Sequence, residues 1–225
     1  MRAVIFDLDN TLIRSYTDFV KMKKKIIEYL QDTGIEGDIL KPERTTVEMV
    51  IEAVRQLEEK GETNYGISTV LRGVNDIMNK VELENVKMTH PLDSAADLLR
   101  TLKAIGVKIG VLTRGCEAYA REALRVTGLL GYIDSISART DLLQAKPNPE
   151  ALYSLCRDLE VTRSEIAFVG DHPIDATCAR LADVEFVGIL EGPANEEAMR
   201  QAGSQINMRN LIDVKEFLLR KLNSL

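Results

Sequence analysis

Residues 3–12 read AVIFDLDNTL. Ala3, Val4, Ile5 and Phe6 form a short apolar run, the pattern of a strand buried on both faces. Asp7 and Asp9 follow at once, then Thr11. Two carboxylates so close to the end of a buried strand are costly to place, and the end of a strand in an open α/β sheet is where ligands bind. Taken alone, the pair is equally readable as the start of a turn. The rest of the chain decides between these readings.

Downstream of Leu12 the apolar period changes from strand to helix for about seventy residues. Phe19, Met22, Ile26 and Leu30 mark a first helix ending near Gly34 or Gly37. Val47, Val50, Ile51, Val54 and Leu57 mark a second that stops at Gly61, and Val70, Leu71, Val74, Ile77, Met78 and Val81 mark a third. Three such stripes can pack into a bundle of their own. The KMKKK run at 21–25 reads as a solvated helix face. Residues 16–90 hold 11 basic and 14 acidic side chains, so the bundle is no more basic than the whole chain.

After His90-Pro91 the chain alternates helix and strand. A helix over Ala95–Ile105, with Asp93 or Ser94 as N-cap, leads to a strand from Val107 to Leu112 that delivers Thr113. A helix lined by Ala120, Ala123, Leu124 and Thr127 precedes a short strand near Ile133–Ser137. A helix after Pro149 leads to the strand Ile166–Val169, which delivers Gly170 and Asp171. A helix through Ile174, Cys178 and Leu181, a strand at Val184–Ile189 and a tail helix around Leu211–Leu222 complete the pattern. Alternation of this length implies a doubly wound, mainly parallel α/β sheet with an all-helical insert after the first strand. The expected division is a core of residues 1–14 and 91–225, with a helical domain at 15–90.

Composition excludes several classes. The 225 residues are 45% hydrophobic and 28% charged, enough for a full core. A net charge of −6 leaves no positive excess to displace phosphate counterions, which argues against a general nucleic-acid binder. No apolar run is long enough to span a bilayer, and no signal peptide is expected. Three cysteines, Cys116, Cys156 and Cys178, fall within helical patterns without metal-ligand spacing and read as buried thiols in a reducing compartment. The expected location is cytoplasmic.

The polar residues at the strand ends share one edge of such a sheet: Asp7 and Asp9, then Thr113, Arg114 and Gly115, then Asp171 with Asp175 four residues on. Lys146 lies in a loop stiffened by Pro147 and Pro149. Singly, Thr113 is readable as a strand-end cap, Lys146 as a surface lysine and Asp175 as a first-turn helix residue. Together, DLDNT, LTRG, AKPNPE and VGDHPIDA resemble, in order and spacing, the four signature motifs of the haloacid dehalogenase superfamily. The helical insert resembles the cap of its phosphoglycolate phosphatase-like branch. Asn10 stands where Gly is common in that family, and Arg114 where Asn is common.

The resemblance implies a Mg²⁺-dependent phosphatase acting on a small phosphorylated metabolite. Asp7 would be the nucleophile and Asp9 the acid and base. Asp7, Asp9 through its backbone carbonyl, Asp171 and Asp175 would hold the metal, and Thr113, Arg114 and Lys146 the substrate phosphate. It also implies a mobile cap; the insertion point puts its expected joints at Arg14–Thr17 and Lys87–Pro91. His172 reads as orienting its loop, and Asp141 as capping a turn near the site. Four ionised aspartates against one lysine would repel a phosphate dianion; Mg²⁺ and a proton on Asp9 bring the balance to zero, so Asp9 is expected to be protonated near neutral pH. A phosphomutase of the β-phosphoglucomutase kind would use the same motifs, and a non-catalytic binding protein could share the fold. No nucleic acid or membrane partner is expected, and the sequence sets no oligomeric state.

Overall fold

The computed structural model describes residues 1–140, 144–190 and 196–223. Its elements, in chain order, are β1 (Ala3–Phe6), β2 (Ile13–Arg14), α1 (Phe19–Asp32), α2 (Thr46–Glu59), α3 (Asn64–Glu84), β3 (His90–Pro91), α4 (Ala95–Ala104), β4 (Lys108–Cys116), α5 (Glu117–Val126), β5 (Ser135–Arg139), α6 (Glu150–Asp158), β6 (Ile166–Gly170), α7 (Pro173–Ala182), β7 (Glu185–Ile189), α8 (Glu196–Ala202), β8 (Ile206–Met208) and α9 (Leu211–Asn223). Thr17–Asn85 form one compact unit, and the rest of the described chain forms another.

In the larger unit six strands lie in the order β5-β4-β1-β6-β7-β8. Every pairing in that sheet is parallel. The chain places β4 and β5 on one side of β1, then returns to place β6, β7 and β8 on the other. The strand order therefore reverses at β1, and the crevice beyond its carboxyl end is the ligand site of such sheets. In register, Phe6 is level with Val111 of β4 and Val169 of β6. The residues just beyond Phe6, Val111 and Val169 thus lie at the same edge of the sheet.

β1 is buried on both faces because its side chains alternate between two cores. Val4 and Phe6 join the core with Leu98 and Leu102 of α4, Ala120 and Leu124 of α5, and Val214 and Leu218 of α9. Ala3 and Ile5 join the core with Leu152 and Leu155 of α6, Ala176 and Ala179 of α7, and Met199 of α8. Each fully buried aliphatic side chain contributes about 1.5–3 kcal/mol. This sandwich fixes the position of Asp7, whose amide donates to the Val169 carbonyl at 2.8 Å.

The helical unit has its own core, in which Met22, Ile26 and Leu30 of α1, Met49, Val50 and Ala53 of α2, and Val70, Val74 and Val81 of α3 meet. Its helix starts are capped: Asp18 accepts from the Lys21 amide at 2.8 Å, and Thr45 and Glu48 form a reciprocal capping box. Of the basic run, Lys21 pairs with Glu84 at 2.6 Å and Lys23 donates to the Pro42 carbonyl at 2.5 Å.

Several expectations are corrected. Phe19, Ile51, Ile105 and Leu181 have the spacing of core residues but are exposed. Phe19 begins its helix and Ile105 follows one, where the stripe runs out of partners. Ile51 is rotated away from the Val50–Ala53–Leu57 stripe. In α7 the buried stripe is Ala176, Cys178, Ala179 and Ala182, which leaves Leu181 outside. β4 does not stop before Thr113 but continues to Cys116, with a register shift between Leu112 and Cys116. Cys116 therefore ends a strand rather than lying in a helix. Ser94 does occupy the N-cap of α4, in a left-handed conformation and without a side-chain capping bond. β8 and α8, a three-residue edge strand and a seven-residue helix, carry too little periodicity to be read from sequence. β2 and β3 pair antiparallel, Ile13 with Pro91 and Arg14 with His90. This ladder takes up part of the two stretches expected as joints.

Candidate active site

Asp7 follows β1 directly, and Asp171 follows β6. Asp175 lies in the first turn of α7, and Lys146 in the loop before α6. All four are buried. Lys146 Nζ donates to Asp7 Oδ1 at 2.5 Å and to Asp175 Oδ1 at 2.7 Å. Thr11 Oγ1 donates to Asp171 Oδ1 at 3.2 Å. Carboxylate oxygens of Asp7, Asp171 and Asp175 lie within 4.8 Å of one another.

If ionised, three carboxylates against one ammonium leave two negative charges in excess in a place where water cannot screen them. Burial, reinforced by Asp175, Asp171 and Asp9 and opposed by Lys146, holds the Asp7 carboxyl well above the usual carboxylate range. Burial, and after it the charge of Asp175, raises Asp171 to about 6 against the opposing pull of Thr11 and Lys146. Burial also draws the Lys146 ammonium downward, but Asp175 and Asp7 outweigh it and keep its pKa above that of an ordinary lysine. The lysine is thus a fixed cation, and the carboxylates are short of positive charge. Hard oxygen donors with an uncompensated double charge fit Mg²⁺. Asp175 is the least available of the three, since its Oδ2 also accepts from the His172 amide at 3.1 Å.

The local backbone makes this possible in three places. Asn10 has φ of +57°, in the left-handed region where Gly is most at ease and Asn is next best tolerated. A Cβ on Gly170 would lie 2.8 Å from Asp175 Cβ, so only glycine lets α7 start this close to β6. His172 caps α7: its Nδ1 accepts from the Ile174 amide at 3.2 Å, which fits the loop-orienting role expected of it.

The phosphate-binding candidates divide. Thr113 is buried, and its Oγ1 accepts from the Gly115 amide at 3.0 Å, which leaves the hydroxyl proton free to be donated elsewhere. Arg114 is half-buried, and its carbonyl accepts from Arg139 Nε at 2.9 Å. The Asp9 carboxylate is not among the oxygens that lie within 4.8 Å of one another, although its charge still acts on Asp7. It is half-buried and accepts from the Tyr119 hydroxyl at 2.5 Å. Asp141 lies outside the described residues. Sequence reading missed Tyr119 and the buried Arg139, and gave Thr11 no role. Tyr119 had a signal only as one more apolar residue on α5.

The family model for haloacid dehalogenase-like hydrolases matches residues 4–189. The chain belongs to this family. A phosphoglycolate phosphatase of Rhodospirillum rubrum is 29% identical over 87% of this chain and 82% of its own. A protein provisionally named a pyrophosphatase in Clostridium perfringens is 26% identical over the whole of both chains. The solved structure of a hydrolase from Pseudomonas syringae superposes with a TM-score of 0.65 at 21% identity, covering 98% of this chain and 99% of that one, and so shares the fold. Among the described residues no helix is long and apolar enough to cross a membrane.

Proposed function

We propose that this member of the haloacid dehalogenase-like hydrolases is a Mg²⁺-dependent phosphatase of small phosphorylated metabolites, working through an aspartyl-phosphate on Asp7. The observation that carries this reading is Lys146, buried and bridging Asp7 and Asp175 beside Asp171. A cation that orients a buried carboxylate and can also meet an incoming phosphate serves a nucleophile.

On this reading Asp7 Oδ attacks phosphorus while the ester oxygen departs with the bonding pair. Asp9 gives that oxygen a proton and later takes one from the water that hydrolyses the aspartyl-phosphate. Lys146 and the Thr113 hydroxyl bind the phosphoryl oxygens, with Arg114 at the margin. Asp7, the backbone carbonyl of Asp9 and Asp171 would hold Mg²⁺, with Asp175 acting through Lys146 or a bound water. Mg²⁺ supplies charge neutralisation of the phosphate and of the carboxylate cluster. Thr17–Asn85 correspond to the cap of the family. The relatives' names place phosphoglycolate and pyrophosphate among the compounds to test. Three buried cysteines without a disulfide fit a reducing, cytoplasmic setting.

The test is phosphate release from p-nitrophenyl phosphate and from a panel of phosphorylated metabolites, with Mg²⁺ and with EDTA. The expected result is Mg²⁺-dependent release that Asp7→Asn abolishes and that needs no bisphosphate activator. A wild type as inactive as Asp7→Asn would sink the proposal. Release only with a bisphosphate activator would mark a phosphomutase instead.

A further inference from the structure

Tyr119 is among the largest fully buried side chains, yet its hydroxyl reaches out of the core to Asp9 Oδ1 at 2.5 Å. The ring belongs to the core shared by α4, α5 and β1. It reaches Asp9 by passing against the backbone of Gly115, where a Cβ would lie 2.6 Å from Tyr119 Cδ1. Gly115 also donates its amide to Thr113 Oγ1. One glycine thus sets both the threonine hydroxyl and the path of the tyrosine.

We infer that Tyr119 is a positioning residue for Asp9, holding one carboxyl oxygen so that the other faces the departing ester oxygen. This rests on the phosphatase reading above. A phenol is a donor at neutral pH. Donating to Oδ1, it fixes that oxygen as the acceptor, so the proton that Asp9 delivers on the phosphatase reading leaves from Oδ2. As Asp7 bonds to phosphorus, the P–O bond to the leaving group breaks, its electron pair stays on the leaving oxygen, and the Oδ2 proton moves to that oxygen. Asp9 is left as a carboxylate, still hydrogen-bonded to Tyr119. The backbone beside Asp9 is already fixed, since the Leu8 carbonyl accepts from the amides of Leu12 and Ile13 at 2.9 and 3.1 Å. The tyrosine extends that order to the side chain.

The experiment compares Tyr119→Phe with wild type on two esters. One is p-nitrophenyl phosphate, whose leaving group needs no proton. The other is the alkyl phosphate that wild type turns over fastest, whose leaving group does. The expected result is a fall in kcat/KM of about tenfold or more on the alkyl ester and less than about threefold on the aryl ester. An Asp9→Asn background removes the difference, so adding Tyr119→Phe there leaves the alkyl-to-aryl ratio unchanged. Thermal unfolding of Tyr119→Phe close to wild type shows that the ring still packs. Equal losses on both esters, no loss on either, or a further ratio change in the Asp9→Asn background overturns the inference alone. A wild type that turns over neither ester with Mg²⁺ overturns the phosphatase reading, and this inference with it.

Discussion

Lys146 Nζ lies 2.5 Å from Asp7 Oδ1, although 139 residues separate them in the chain, and both side chains are buried. The pair forms a contact between β1 and the loop before α6 that only the folded sheet can make. Removing one partner of such a pair leaves an uncompensated charge in a place without water. Lys146→Ala is expected to cost about 3–5 kcal/mol of stability and to reduce turnover by at least about a hundredfold. Lys146→Arg does not restore turnover, because a planar fork cannot replace a point ammonium between two carboxylates. Urea unfolding and steady-state kinetics on the two variants check both parts.

The Asp171 carboxyl has the opposite consequence. Its pKa in the folded protein is raised from 3.8 to about 6 by burial and by Asp175. Between those values the folded state binds more protons than the unfolded one, so this group lowers stability as pH rises through the window. Without Mg²⁺, Asp171→Asn is therefore expected to be more stable than wild type at pH 7, by an amount on the order of 2 kcal/mol, and equal to it near pH 4. Mg²⁺ raises the wild-type melting temperature and leaves that of Asp171→Asn unchanged. Melting curves in EDTA and in Mg²⁺ at the two pH values decide it. A wild type more stable than Asp171→Asn in EDTA at pH 7 would count against the charge excess around Asp7, Asp171 and Asp175.

Gly170 tests how closely α7 must approach β6. An added methyl would meet the Cβ of Asp175, which is backbone-anchored and cannot swing aside. Gly170→Ala is expected to cost about 1–3 kcal/mol. It should also displace the carboxylate that holds Lys146, lowering kcat while the variant stays folded. Circular dichroism and kinetics together check this.

The cysteines give a chemical readout of the two cores. Cys116, Cys156 and Cys178 are buried and form no disulfide. Burial pushes the Cys178 thiol up to about 12, with Asp175 adding to the shift and Lys146 opposing it. Burial also raises Cys156. Thiolate is the reactive form. A disulfide reagent at pH 8 is therefore expected to leave Cys156 and Cys178 essentially unmodified in the native protein and to titrate all three thiols after denaturation. Fast native labelling of Cys178 would show that α7 packs too loosely to keep this thiol buried.

Local sequence carried most of the fold. The apolar run before Asp7, the alternation of helix and strand after His90, and the three stripes between Phe19 and Val81 each declare an element through side-chain period. Such periods survive without knowledge of neighbours, because they depend only on how a helix or a strand presents its faces. They failed where an element was short, as in β8 and α8, or where small residues formed the buried stripe, as in α7. Motif order likewise marks Asp7, Asp9, Thr113, Lys146, Asp171 and Asp175 as candidates.

Tertiary structure alone decided how those groups use one another. The sequence determined an α/β chain with a helical insert and a set of polar strand ends. It could not show that Asp175 spends both oxygens on Lys146 and the His172 amide, or that Asp9 turns to Tyr119 rather than to the acidic cluster. The reason is physical. Helix and strand patterns arise from interactions a few residues apart, whereas a hydrogen bond such as Tyr119 to Asp9 spans 110 residues and exists only after the sheet has brought its strands together.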